Sequence, residues 1–279
     1  MSRGRTERFL VTAVTDGSAR RRPDDLIVEE PMTIQLDGTV VATTMRTPGH
    51  DFELATGFCH TEGLLRTPSG AATPVAGVRY CGSGSAVDTE FNVVTVETHG
   101  RAAEPTPRLG TTSSSCGWCG SDQLDELTDR LTPFDGPASI PLDVFRSVLG
   151  SVAAAQGLFD RTGAVHAAAV FDAAGSVDLV REDVGRHNAV DKVVGALLLA
   201  ERLPATGLGL FVSGRASVEM VQKAWSAGLS TVIAVSAPTA LAVSAARRAN
   251  MTLVGFTRED SCNVYAPERL PDGVLPGAR

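Results

Sequence analysis

The residues of this chain best suited to chemistry are the two cysteines of a Cys-x-x-Cys motif, Cys116 and Cys119. Small residues surround them, and the segment 121–131 that follows has apolar residues at 124, 127 and 131, the spacing of one helical face. The sulfurs are therefore expected just before a helix N-terminus, where unpaired N–H groups and the helix dipole favour a thiolate. A thiolate can attack sulfur, bind a metal or carry a persulfide.

Several kinds of site compete for this cysteine pair. A structural zinc site normally takes four Cys or His ligands, whereas Cys59, Cys81 and Cys262 occur singly. A structural disulfide is disfavoured because cytosolic thiols stay reduced. A thioredoxin-like motif would follow the first strand of a small domain, and this pair lies far into a long chain. Sulfur chemistry is favoured, and the motif alone does not say which kind.

The composition indicates a soluble globular protein whose overall charge would not attract polyanions. The 279 residues include 25 basic and 32 acidic side chains, a net charge of −7, and aromatic content is 5%, so nucleic acid is not an expected partner. The apolar run at 9–14 is too short for a signal-peptide core, and no segment offers the uninterrupted apolar length of a membrane span. We expect a cytoplasmic protein that does not enter membranes.

The first part of the chain reads as a mixed α+β unit. Extended runs on either side of Asp37-Gly38 predict a hairpin, Asp51 is expected to cap a helix that ends near Gly63, and 90–96 reads as a strand. We divide the chain into a flexible tail, an N-terminal α+β domain, a mobile arm carrying the two cysteines, a C-terminal α/β domain and a second tail. Their bounds are 1–24, 25–98, 99–120, 121–267 and 268–279.

The C-terminal part alternates between short apolar strands and amphipathic helices. Strands are predicted at 164–171, 177–180, 208–212, 231–235 and 251–256, and helices from near Pro141 and at 188–203, 218–227 and 239–249. Such alternation is typical of parallel βαβ units with helices on both faces of the sheet. The predicted fold class is α/β, with a three-layer αβα domain.

Polar side chains follow the predicted strands of this domain. Since ligands of open α/β sheets bind outside the carboxyl ends of the strands, and helix N-termini bind anions, we predict a nucleotide-like ligand there. The candidate residues from the strand ends are Gly214, Arg215, Ser217, Ser236, Thr239, Thr257, Arg258, Glu259, Asp260 and Ser261, with Arg186 and His187 from a charged loop. His166, on an apolar strand, is expected to be a satisfied core histidine.

Seven longer motifs follow one another along the chain. They are MRTPG at 45–49, TEG at 61–63, SSCGWCG at 114–120, GAVHAAA at 163–169, EDVGRHNAVDK at 182–192, VSGRAS at 212–217 and VSAPT at 235–239. In this order they resemble the FdhD-type formate dehydrogenase accessory sulfurtransferases, and the resemblance spans about Glu30 to Pro267.

The resemblance implies a sulfur carrier. A cysteine desulfurase would load a persulfide onto Cys116, with Cys119 as partner in relay or protection. The sulfur would pass to the molybdenum of a bis(molybdopterin guanine dinucleotide) cofactor, bound as substrate, before insertion into formate dehydrogenase. The family also implies a homodimer, no structural metal, and a cytidine-deaminase-like C-terminal domain that GDP or GTP would occupy as mimics of the cofactor. By analogy the cofactor contacts fall on Phe256 through Ser261, Asn263 and Tyr265.

Two other functions stay open from the sequence. A non-enzymatic chaperone could hold the cofactor or the apo-dehydrogenase without using Cys116. A zinc-stabilised binding module would use the cysteines as metal ligands. Cys262, close to the proposed phosphate loop, is expected to be a buried free thiol.

Overall fold

The computed structural model describes residues 4–81, 87, 89–105, 131–135 and 140–270. The described strands form a two-stranded, a four-stranded and a six-stranded sheet. None of the helices within these ranges is long and apolar enough to cross a membrane.

The chain opens with a β-hairpin. Strands β1 (Thr6–Thr15) and β2 (Ser18–Ile27) pair antiparallel, and the chain reverses at Asp16 and Gly17, which have φ angles of 48° and 78°. The expectation of a loose tail up to residue 24 is therefore wrong for residues 6–24. The overlooked signal is Asp-Gly, which tolerates the positive φ values that a tight hairpin turn needs. Arg161 Nη2 donates to Asp25 Oδ2 at 3.0 Å and ties the hairpin to the C-terminal unit.

The N-terminal unit is a four-stranded sheet covered by one helix. Its strand order is β4-β3-β6-β5, with β3 at Glu30–Leu36, β4 at Thr39–Arg46, β5 at Gly77–Tyr80 and β6 at Val93–Glu97. The hairpin at Asp37-Gly38 is confirmed, and β5 was not predicted. Helix α1 (Asp51–Thr61) buries Leu54 against Met32 and Ile34 of the sheet. Asp51 is the first residue of the helix, and His50, with φ 57°, occupies the cap position. The Asp51 carboxylate instead accepts hydrogen bonds from Gly49 N and from Arg46 Nε.

The C-terminal sheet is mixed rather than wholly parallel. Its order is β12-β11-β10-β9-β7-β8, with β7 at His166–Phe171, β8 at Val177–Asp183, β9 at Gly209–Val212, β10 at Thr231–Ala234, β11 at Thr252–Gly255 and β12 at Asn263–Pro267. Strands β9, β10 and β11 run parallel, as predicted. Strands β7, β8 and β12 are antiparallel to their neighbours, since short turns rather than helices precede β8 and β12.

Helices cover both faces of this sheet. They are α2 (Val144–Ala155), α3 (Gly157–Thr162), α4 (Arg186–Leu199), α5 (Val218–Ser226) and α6 (Ala240–Arg248). Helix α2 packs Phe145 and Val148 against one face, where Phe211 and Ile233 point. Helices α4, α5 and α6 build the larger core on the other face, so the three layers are confirmed.

The two units meet where α1 crosses α4. A Cβ atom on Gly57 would lie 1.8 Å from the carbonyl oxygen of Asp191, and one on Gly195 would lie 1.8 Å from that of Glu53. Only glycine fits at both positions, so the two helix backbones are in direct contact.

Candidate functional site

Both predicted catalytic residues, Cys116 and Cys119, lie outside the described residues. Among the described cysteines, Cys59 and Cys81 are buried and Cys262 is half-buried. Burial raises the pKa of Cys59 far above its ordinary value and also raises the pKa of Cys262, which the Arg146 charge partly opposes. Within the described ranges, no three His, Cys, Asp or Glu side chains are grouped to hold a metal ion.

The topology brings the predicted ligand loops to one edge of the C-terminal sheet. The parallel strands β9, β10 and β11 end at this edge, and so does β8, while β7 and β12 begin there. The loops that follow β8, β9, β10 and β11 carry the predicted contacts. We call this edge, formed by 184–187, 213–217, 235–239 and 256–262, the rim.

Backbone hydrogen bonds hold neighbouring loops of the rim together. Ser236 N donates to Gly214 O at 3.3 Å, Thr239 N to Ala216 O at 3.0 Å, and Phe256 N to Ser236 O at 3.2 Å. These hydrogen bonds join the three loops into one surface. The position of each loop is therefore fixed by the loop beside it.

A cavity of about 680 Å³ opens at the β11 end of the rim, beside the start of α2. Its polar wall comes from the predicted segment: Thr257, Arg258, Asp260 and Ser261. Thr257 is 1% exposed, and its hydroxyl has no hydrogen-bond partner among the described residues, so it is available to a ligand. Phe256, with φ 51° and 41% exposure, and Glu259 lie at the surface beside this cavity.

The predicted phosphate donors are partly occupied by the protein itself. Arg258 Nη1 donates to Val235 O at 2.6 Å and to Thr257 O at 2.9 Å, and its other nitrogens make no hydrogen bond to a described residue. Arg215 is exposed. Thr239 caps α6, because its hydroxyl accepts from Ala242 N at 3.2 Å.

The remaining predicted contacts lie on β12 and at the starts of α4 and α5. Asn263 Nδ2 lies 3.4 Å from Tyr265 Oη on the outer strand of the sheet, which two strands, β11 and β10, separate from β9. Ser217 immediately precedes α5, and Arg186 and His187 form the first turn of α4.

Two charged residues of the site were missed from the sequence. Arg146 of α2 lines the cavity and donates to Asp260 O at 3.0 Å. Burial works against ionisation of Glu219, but hydrogen bonding by Ser217 and the backbone and the charges of His187 and Arg186 hold its pKa below the ordinary value. In the sequence, Arg146 follows Phe145 and Glu219 follows Val218. That position directly after an apolar helix residue is the only sequence feature that could have indicated them.

The buried carboxylate of Asp183 fixes the rim loop that carries Arg186. Its oxygens accept from Gly185 N at 2.8 Å, Asn188 Nδ2 at 3.0 Å and Thr47 N at 3.1 Å, and Lys192 Nζ lies 2.6 Å away. Burial lowers the pKa of Lys192, an effect that Asp183 opposes. Because Thr47 belongs to the N-terminal unit, the loop is held by both halves of the chain.

Comparison with known proteins places the chain in a family. The model of the FdhD/NarQ family matches residues 27–271. The chain belongs to the FdhD/NarQ family. The matched range begins at the last residue of β2, so nearly all of the N-terminal hairpin lies outside the part that matches the FdhD/NarQ model.

Curated relatives match over most of their length. A protein of Mycolicibacterium paratuberculosis named sulfur carrier protein FdhD is 46% identical over 266 residues, 93% of this chain and 96% of that one. A protein of the same name from Streptomyces avermitilis is 46% identical over 271 residues, 94% of each chain.

A solved structure shares the fold. The protein of Desulfotalea psychrophila, described as a formate dehydrogenase accessory protein, superposes with a TM-score of 0.76 at 22% identity. The match covers 96% of this chain and all of that one. The likeness of the C-terminal domain to cytidine deaminases stays a prediction.

Proposed function

We propose that this protein is a sulfur carrier that serves formate dehydrogenase. The observation that carries the proposal is membership of the FdhD/NarQ family together with relatives named sulfur carrier protein over more than nine-tenths of the chain. The Cys116-x-x-Cys119 motif provides the sulfur chemistry that such a carrier needs.

The carrier step is a persulfide exchange. The Cys116 thiolate attacks the terminal sulfur of a desulfurase persulfide, an S–S bond forms, and the desulfurase cysteine leaves as a thiolate. Conversion of the carried sulfur to sulfide for molybdenum takes two electrons. The Cys119 thiolate supplies them by attacking the Cys116 sulfur, which releases sulfide and leaves a Cys116–Cys119 disulfide.

The rim is the proposed docking site for the molybdenum cofactor with its guanine dinucleotide groups, which is substrate here rather than a resident group. The hydrogen-bonded loops, the start of α4 and α5 and the exposed Arg215 offer N–H groups and positive charge suited to phosphates. The Thr257 hydroxyl and the remaining Arg258 nitrogens, which have no hydrogen-bond partner among the described residues, add donors at the β11 end. GDP and GTP are the expected mimics of this ligand.

The same proposal sets the cellular context. The protein acts in the cytoplasm as a homodimer, with a cysteine desulfurase as sulfur donor and formate dehydrogenase as the enzyme that receives the sulfurated cofactor. Chemistry at the metal belongs to the cofactor, and the protein binds and orients it.

Complementation of a host that lacks its own carrier tests this function. The wild-type chain should restore formate dehydrogenase activity and Cys116→Ala should leave it at background. Cys262→Ala, at a half-buried thiol, is the matched control and should restore activity. Restoration by Cys116→Ala would instead favour a chaperone that holds the cofactor without carrying sulfur.

A further inference from the structure

A separate cavity lies between the two units, at the end of the molecule opposite the rim. Its volume is about 490 Å³, within the range of small-molecule sites. The N-terminal unit contributes the end of α1 and residues 72–74, and the C-terminal unit contributes the last turns of α4 and α5. Since α4 and α5 begin at the rim, the cavity is separated from the rim by the length of these helices. We call it the inter-unit cavity.

Most of the wall of the inter-unit cavity is hydrocarbon. The leucines that line it come from both units, and Pro204 lies beside them. They are Leu65, Leu131, Leu198 and Leu203. Because each aliphatic group that leaves water for such a wall is stabilised by its buried area, the wall favours a ligand with an aliphatic part.

Gln222 places an unused acceptor at the cavity. The side chain is 1% exposed, and its Nε2 donates to Thr61 O at 2.6 Å. Because a carbonyl oxygen only accepts, this hydrogen bond fixes which end of the amide is Oε1. Oε1 is buried and has no hydrogen-bond partner among the described residues. A buried acceptor of this kind is costly unless it is paired, so the cavity favours a ligand with an N–H or O–H donor.

His60 and Thr73 add two further polar atoms to the lining. His60 Nε2 lies 3.0 Å from Ser226 O and therefore carries the proton. Burial lowers the pKa of His60, the bond to Ser226 opposes this and the Arg66 charge adds to it, so the ring is neutral and Nδ1 is an acceptor. The Thr73 hydroxyl is buried and has no hydrogen-bond partner among the described residues. The cavity thus offers two acceptors and a hydroxyl to one ligand.

Buried charges behind Thr61 favour a positively charged group on the ligand. Thr61 lines the cavity, and its hydroxyl donates to Asp191 at 2.8 Å and accepts from Lys223 Nζ at 2.9 Å. Lys223 in turn contacts Glu62, so this cluster has two carboxyl groups for one ammonium group. With the acceptors of Gln222 and His60 on the same lining, a protonated amine matches this part of the cavity.

Arg66 supplies the opposite charge. Its Nη1 donates to Gly70 O at 3.0 Å, and its other nitrogens make no hydrogen bond to a described residue. Arg66 is half-buried on the cavity lining, where a carboxylate can accept from the guanidinium group. The cavity therefore combines acceptors for an amine, a donor for a carboxylate and an aliphatic wall.

The described chain on either side of residues 106–130 is attached at this cavity. Ala103 N donates to Arg66 O at 2.7 Å, and Leu131 lines the wall. A ligand in the inter-unit cavity would contact both of these attachment residues, which flank the segment with the Cys-x-x-Cys motif.

We propose that the inter-unit cavity binds a free α-amino acid with an aliphatic side chain. The ammonium group donates to Gln222 Oε1 and His60 Nδ1, the carboxylate accepts from Arg66, and the side chain packs among the leucines. The proposal goes beyond sulfur carriage and does not rest on it, because none of these residues belongs to the rim.

Two neighbouring alanines offer a matched pair of variants. Ala72 lines the cavity and Ala71 does not, and both are exposed, so the fold tolerates a larger side chain at either position. Ala72→Phe narrows the cavity, and Ala71→Phe adds the same side chain outside it. Calorimetric titration of the full chain uses three probes: L-leucine, 3-methylbutylamine, which lacks the carboxylate, and 4-methylpentanoate, which lacks the amine.

The wild type should bind L-leucine about tenfold or more tightly than either analogue. Ala72→Phe should lose about tenfold or more in affinity for L-leucine, with Ala71→Phe unchanged. Arg66→Gln should weaken binding of L-leucine and leave that of 3-methylbutylamine as it was.

Three results would overturn the proposal. They are no binding of L-leucine to the wild type, equal binding by Ala72→Phe, and an analogue that binds as tightly as L-leucine. None of these results bears on persulfide loading, so the proposed function would stand.

Discussion

Glu53, in the first turn of α1, joins the two units through a bidentate ion pair. Arg181 Nε and Nη2 of β8 donate to its oxygens at 2.5 and 2.8 Å, and His50 Nδ1 lies 3.2 Å away. Burial raises the pKa of Glu53, but hydrogen bonds and charge from Arg181 and His50 outweigh it and hold the pKa at about 2. The pair holds α1, and so the neighbouring N-terminal unit, against the sheet that ends at the rim.

This pair predicts a defined pH dependence of stability. The pKa of Glu53 is lower in the folded chain, so its contribution is fully present above the ordinary carboxyl pKa and is lost as pH falls towards about 2. Glu53→Gln should lower the free energy of unfolding by about 1–2 kcal/mol at pH 7, after allowance for solvent screening. More than half of that difference should disappear between pH 5 and pH 3 in urea melts.

Glu97→Gln is the control for the Glu53 prediction. Glu97 pairs with Arg79 at 2.7 Å on the surface, where both side chains are substantially exposed. Its loss should change stability by less than about 1 kcal/mol. A stability difference for Glu53→Gln that stays constant from pH 7 to pH 3 would contradict the assignment.

For single residues, the sequence shows which side chains can carry charge or donate hydrogen bonds, but not which residues they pair with in the fold. Arg215 and Arg258 lie on loops at one sheet edge, as predicted, because strand ends can be recognised from apolar runs. Arg186 lies at the same edge, but it begins α4 and is not part of a loop. The pair between Glu53 and Arg181 was not foreseen, since 128 positions separate the two residues. His166 was expected to be a satisfied core histidine, but it is half-buried, and among the described residues its ring makes only one contact, with Ser213 Oγ at 3.4 Å. An apolar strand does not show that its first residue lies at the edge of the sheet.

The crossing of α1 and α4 is the contact between elements that is least tolerant of change. Each glycine at the crossing faces a carbonyl of the other helix at a distance no Cβ atom can occupy. Helix α4 also begins at the rim with Arg186, so a shift at the crossing would be transmitted to the loops of the rim.

Gly195→Ala should therefore destabilise the protein by about 3 kcal/mol or more, because the backbones must separate. Gly150→Ala is the control: Gly150 also lies within a helix, and a Cβ atom there meets nothing within 4 Å. That variant should be neutral or more stable by up to about 1 kcal/mol, as alanine is the better helix former. Thermal or urea unfolding of the two variants measures the difference, and equal stabilities would show that the helices do not approach so closely.

Helices and strands with a clear pattern of apolar residues were predicted well, and short elements were not. The amphipathic stripes of α2, α5 and α6 and the apolar runs of β9, β10 and β11 are strong local signals. Strand β12 is a five-residue edge strand that ends in Pro267, and α3 is six residues long, so neither has enough length to show a pattern. The hairpin β1–β2 was missed because its strands are mostly exposed and therefore polar.

At the scale of the whole molecule, buried ion pairs fix the two units against each other. Lys223 Nζ lies 2.8 Å from Asp191 Oδ1 and 3.3 Å from Glu62 Oε1, with all three side chains buried. Removal of one partner would leave an uncompensated buried charge. These buried ion pairs therefore hold the rim in one geometry, as the proposed docking of a cofactor there requires.

The fold class and the family could be recognised from the sequence because long motifs occur in one order. The way the units dock could not, since it depends on glycines and buried charges that look ordinary in isolation. Gly57 and Gly195 lie in different units of the chain, on α1 and α4, and nothing local marks them as a pair.

The most direct test of sulfur carriage is the intact mass of the protein after incubation with a cysteine desulfurase and cysteine. Wild type and Cys262→Ala should each gain about 32 Da, one sulfur atom, and lose it on treatment with a thiol reductant. Cys116→Ala should show no gain. An unchanged mass of the wild type in the presence of active desulfurase, or a gain that persists in Cys116→Ala, would contradict the assignment of the persulfide to Cys116.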